Sequence, residues 1–205
     1  MTNEQTIDDL NYAAALAKSG NETPLMGGPI GLMWGILISA TLFSHWAIIN
    51  GVVSIGPQYL WALWLGFAAV GGIGSGILSR RLDTREGTNS MANQIEQALW
   101  IRFSAMTGSL WLGIVISMFM GTGSVALFDL VPIVMLAGQG LVYGVTAKFS
   151  NHQWLNHASW ASYSSVLIAF SAYGQPHFYL VAAGAALVTV VLPSLKTMQN
   201  DHANR

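Results

Sequence analysis

Apolar residues in this chain gather into six stretches, at 29–50, 58–79, 98–121, 125–147, 154–172 and 176–195, separated by short polar or glycine-rich breaks. Each stretch is close to the roughly 20 residues a helix needs to cross a hydrocarbon core. Lipid offers the backbone no hydrogen bonds, so a spanning segment has to be a helix or a strand of a closed barrel. The two-residue alternation of a barrel strand is absent, which leaves helices. The pattern therefore predicts an all-α fold, a membrane bundle of six transmembrane helices arranged as three hairpins. A transmembrane domain over 29–195 would lie between an N-terminal segment (1–28) and a short tail (196–205).

The breaks are of two kinds. Three are tight and uncharged, marked by Gly56-Pro57, Gly121-Thr122-Gly123 and Gly174-Gln175-Pro176, and read as turns. The others carry the polar residues, the longest being 80–97 with its run Arg80-Arg81-Leu82-Asp83-Thr84-Arg85-Glu86. Small residues four apart recur in the second helix of each hairpin, Gly72 with Gly76, Gly140 with Gly144, and Ala182 with Ala186. Such pairs let helix backbones approach closely in lipid, and they predict a tight centre of the second, fourth and sixth helices. Gly31 and Gly35 form a similar pair in the first. Ahead of the spans, Thr6 can cap a short amphipathic helix with Asp8 and Asp9 at its positive end and Gly20 beyond its last turn.

Composition agrees with this pattern and adds orientation. Only 8% of the 205 residues are charged and 53% are apolar, too few charges to coat a water-facing surface. All eight basic residues, Lys18, Arg80, Arg81, Arg85, Arg102, Lys148, Lys196 and Arg205, fall at one side of the expected bundle. Lys and Arg near helix ends are retained in the cytoplasm, so both termini are expected there, in a multi-pass protein of a bacterial inner membrane. The acidic start and the missing small-x-small cleavage pattern argue for an uncleaved first helix.

Chemistry is sparse. Without cysteine the chain has no disulfide, thiolate nucleophile or thiolate iron–sulfur ligand. No phosphate loop or paired zinc ligands occur, and no metal, cofactor or nucleic-acid partner is expected. Asp129 is the clearest candidate, since an ionisable group at membrane depth is a functional hypothesis by default. With His45 and His177, both expected near the same ends of their helices, it would make an outward-facing ligand- or proton-binding cluster. The bland alternative is a carboxylate stabilised by its own helix dipole beside a Ser124 cap. Gln139, between two glycines in mid-helix, reads as an interhelical hydrogen bond or a polar substrate contact. Arg102 reads as structural, its stem snorkelling to the headgroups.

The stretch Pro24-Leu25-Met26-Gly27-Gly28, followed by Trp34-Gly35, resembles the first-helix entrance of a family of uncharacterised bacterial six-helix inner-membrane proteins of about this length. That resemblance implies a bacterial inner-membrane protein and supplies no activity. The leading expectation is a non-enzymatic membrane module that acts in the lipid bilayer through self-association or a membrane or cytoplasmic protein partner. The alternative is a small-solute transporter or the substrate-binding subunit of an importer, which would need a hollow around Gln139 where the module would be filled.

Overall fold

A computed structural model describes residues 25, 27–84, 88, 90–150 and 152–203. The amphipathic helix expected near the N-terminus lies outside them. Six long helices follow in order: α1 (Gly28–Ile49), α2 (Leu60–Leu82), α3 (Met91–Phe119), α4 (Leu130–Phe149), α5 (Leu155–Ser171) and α6. The last runs without a break through Phe178–Ala186, a π-helical stretch Leu187–Val191, and Leu192–Ala203. Short 3-10 turns, Pro57–Tyr59 and Val125–Asp129, lead into α2 and α4. Among the described residues there is no strand.

Five of the helices are long and apolar enough to cross a membrane. The other, α5, has 17 residues and a length of about 25 Å. It is lined with serines whose hydroxyls turn back onto its own backbone, Ser162 to the Ala158 carbonyl and Ser165 to that of Ala161.

Two helices differ from expectation at the end of the bundle that carries the basic residues. The polar segment 80–97 was expected to be loop, but α3 already begins at Met91. The Ser90 side chain accepts the Asn93 N–H and so fixes that start. Likewise α6 continues to Ala203, through the segment expected to be tail. At the opposite end all three tight turns carry a left-handed glycine, Gly51, Gly121 and Gly174. Only glycine takes this conformation without steric cost, and it lets each helix end abruptly.

Packing runs in an arc, α2 on α1, α1 on α6, α6 on α5, α5 on α4 and α4 on α3. The heaviest contacts, α4 on α5 and α1 on α6, lie between the expected hairpins rather than within them. Glycines make both possible. On α1, Gly28, Gly31 and Gly35 lie against Met198, Ser194 and Val191 of α6, with room for no Cβ. On α4, a Cβ at Gly140 would fall 2.6 Å from the Tyr163 ring, and Ser159 donates to the Gly140 carbonyl at 2.6 Å. Ala182 and Ala186 are buried in the same core as Ile38 and Leu42 of α1.

The centre is not the second, fourth and sixth helices. Only 6% of the α2 and α3 spans is buried, against 44% for α1 and α6. Gly72 and Gly76 face open space, while Gly71 and Gly74 take the packing role, admitting Trp34 and Met33 of α1. The run Gly71-Gly72-Ile73-Gly74-Ser75-Gly76 offers small residues on both faces. Which face turns inward is decided by Trp34, whose indole donates to Ser75 Oγ at 2.8 Å.

Candidate functional site

Four side chains from four parts of the chain meet at the end of the bundle away from Arg80, Arg81, Lys148 and Lys196. Asp129 closes the 3-10 turn before α4. Ser124 accepts the Ala126 N–H at 3.3 Å and so caps that turn, but the Asp129 carboxylate does not cap α4. It accepts a short hydrogen bond from the Tyr179 hydroxyl in the first turn of α6. The His45 ring of α1 stacks flat on Tyr179, centroids 3.9 Å apart and planes 14° apart. His45 Nδ1 in turn accepts the Trp64 indole N–H of α2 at 3.1 Å. An indole N–H only donates, so Nδ1 is the unprotonated nitrogen and a neutral His45 carries its proton on Nε2.

The structure thus joins Asp129 to His45 through Tyr179, and leaves His177 out. His177 is exposed, and among the described residues its ring makes no hydrogen bond or ring contact. It sits just before α6, two residues from Tyr179, so its side chain leaves the chain in another direction. Arg102 is also exposed, its guanidinium reaching back to the Ala98 carbonyl at 3.3 Å, as a side chain near a membrane interface does.

One helical turn inward from this cluster lies a cavity of about 50 Å³. The register is direct, with Leu42 below His45, Pro132 below Asp129 and Ala182 below Tyr179, while Trp64 belongs to both levels. The four-residue cluster is therefore a lid. Gln139 forms the far wall, and its amide donates to the carbonyl of Thr189 on α6. In an α-helix that carbonyl would accept from the residue four positions on, which is Pro193 and has no N–H. The π-helical stretch shifts the pairing to a five-residue reach, Leu192 N–H to the Leu187 carbonyl, and Gln139 satisfies the carbonyl that remains. The flanking glycines are closed over, Gly138 by Phe103 and Met106 and Gly140 by Tyr163, so the open space at Gln139 is the small cavity on its other side.

A second polar group sits toward the basic end. Glu96, in the part of α3 that was expected to be loop, accepts the Gly27 N–H and the Trp100 indole N–H. It thereby puts a carboxylate at the start of α1, whose own cap residue is a glycine without a side chain. Trp100 packs edge-on against Tyr143, with centroids 5.7 Å apart, and Tyr143 lies one helical turn from Gln139 on α4. Sequence reasoning missed Glu96, Tyr143, Tyr179 and Trp64. Only Tyr143 carried a local signal, lying one turn from Gln139.

What the arrangement can do chemically is limited and definite. The cluster fastens α2 and the start of α4 to α1 and α6 and lies over the cavity. It also brings one carboxylate and one imidazole onto the same tyrosine. Compared with known proteins, the chain matches no family model, no curated protein and no solved structure.

Proposed function

We propose that this chain is a non-enzymatic integral-membrane module that works by association in the bilayer, first with its own copies. The carrying observation is the state of α2. Its bundle-facing side is used by Gly71 and Gly74, yet its other side shows Ala62, Gly66, Ala69, Gly72 and Gly76, all exposed. A Cβ at Gly66, Gly72 or Gly76 would meet nothing within 4 Å. Lipid tails gain little from small residues, whereas a second helix gains close backbone approach. Support also comes from α3, with Gly108 and Gly113 equally open. On the positive-inside rule we place Arg80, Arg81, Lys148 and Lys196, and with them both chain ends, in the cytoplasm of a bacterial cell.

Energy transfer between donor- and acceptor-labelled copies, diluted in vesicles, tests this. Transfer above that of a monomeric membrane control is expected, and Gly72→Leu with Gly76→Leu should abolish it. Transfer no higher than the control sinks the proposal.

A second reading, a small-solute carrier or importer subunit, is favoured by the lid over the cavity. At about 50 Å³ the space is well below the roughly 300–1,000 Å³ of ordinary ligand pockets, so the solute would have to be only a few atoms in size. A thermal-shift screen decides it. A bound solute stabilises in proportion to concentration over Kd, and the shift should vanish in Asp129→Asn.

A further inference from the structure

The cavity under Trp64 has walls of one chemical kind. Ile38, Leu42, Leu136, Ala182 and Ala186 line it, and the polar side chain at its far wall, Gln139, already donates its amide to the Thr189 carbonyl. An ordered water needs two to four polar partners, and apolar cavities without them stay dry. From the water at the outer end the way in is covered by the hydrogen-bonded and stacked lid of Asp129, Tyr179, His45 and Trp64.

The side is different. Packing of α2 is on α1, and packing of α3 is on α4, with no comparable contact joining α2 to α3 or to α4. Trp64 on α2 and Met135 on α4, both only partly buried, are the two flanks of the cavity on this uncovered side. The depth is also informative. Along α4 the lining runs from Pro132, about 3 Å from the helix's first residue, to Gln139, about 14 Å along, so in a ~30 Å hydrocarbon core its inner wall lies close to the midplane. Only the ends of acyl chains reside there.

We propose that this cavity is a binding site for the terminal methylenes of a lipid acyl chain, admitted sideways from the bilayer between α2 and α4. A slim, uncharged, flexible hydrocarbon matches the wall chemistry, the size and the depth together. The inference rests on the membrane-spanning reading alone. It stands whether or not copies of the chain associate.

The test uses the full chain in vesicles of phosphatidylcholine that contain a fraction of phospholipid with a photoreactive diazirine at the acyl terminus. A parallel sample carries the diazirine near the ester end. After irradiation, labelled positions are mapped by peptide mass spectrometry. Ile38, Leu42 and Leu136 are at most 7% exposed, so a label on them reports the cavity, while Ile73 and Leu112 report the outward faces.

The expected result is labelling of Ile38, Leu42 or Leu136 by the terminal probe and not by the ester-end probe, with both probes marking outward positions. Ala186→Phe, which fills the space, should cut the cavity labels at least tenfold and leave Ile73 and Leu112 as before. Labels confined to outward positions overturn the proposal. So does equal cavity labelling by the ester-end probe, or cavity labelling that persists in a folded Ala186→Phe. If that variant does not fold, the comparison of probe depths on the unaltered chain still decides. Loss of energy transfer between copies leaves all of these readings unchanged, so the two proposals fail separately.

Discussion

Proline at position 193 takes away the N–H that the Thr189 carbonyl would normally receive, and Gln139 on a neighbouring helix supplies another donor. The Thr189 residue is fully buried, so no solvent can substitute. Gln139→Leu should therefore destabilise the bundle by about 1–2 kcal/mol, between the cost of an unsatisfied buried carbonyl and the smaller values found for hydrogen bonds in membranes. Adding Pro193→Ala restores a backbone donor, and the double variant should recover most of the loss. Thermal unfolding in detergent measures both. If Pro193→Ala worsens the Gln139→Leu defect, the proline does not cause the orphaned carbonyl. At this scale the sequence was partly legible. Gln139 stood out because an amide between glycines in an apolar helix needs a partner, but its partner is a backbone atom, which no side-chain pattern announces. Asp129 stood out for the same reason, while Tyr179 hid among ordinary aromatics.

At the scale of helices, small residues are useful only on the face that meets a neighbour. Gly140 and Gly72 belong to the same four-residue spacing motif, yet their surroundings are opposite. A methyl at Gly140 would fall 2.6 Å from Tyr163, whereas one at Gly72 would meet nothing. Gly140→Ala should cost about 1–3 kcal/mol by forcing α4 from α5. Gly72→Ala should leave the stability of a single copy unchanged within about 0.5 kcal/mol. Equal losses in the two variants, read by the same unfolding assay, would mean that α2 is packed on both sides. The existence of the helices was readable from apolar length alone. Their ends were less so, because α3 begins where Ser90 caps it and Glu96 is held by Gly27 and Trp100, contacts that exist only once α1 is in place. The uninterrupted course of α6 past Leu195 was hidden by polar residues typical of a tail.

For the molecule as a whole, the order of helices in the arc could not be derived from sequence, because it depends on which glycine faces are used. The placement of polar groups at opposite ends could be. The absence of cysteine makes orientation directly measurable, since any thiol introduced is the only one. An impermeant maleimide added to intact cells should label Val53→Cys, beside the left-handed Gly51, and spare Thr84→Cys until the membrane is opened. The reverse pattern would invert the whole molecule and put the Asp129 cluster in the cytoplasm.

The close fit of α1 against α6 also sets a schedule for biogenesis. Among the described helices, the first to be synthesised, α1, has the last one, α6, as its chief partner. At roughly 5–20 residues per second, synthesis of the intervening chain takes on the order of ten seconds. Throughout that interval the Gly28, Gly31 and Gly35 side of α1 stands bare, open to any passing helix. A nascent chain halted before Phe178 has no means of covering it, so quality control in the membrane has a marker that distinguishes an unfinished molecule from a finished one.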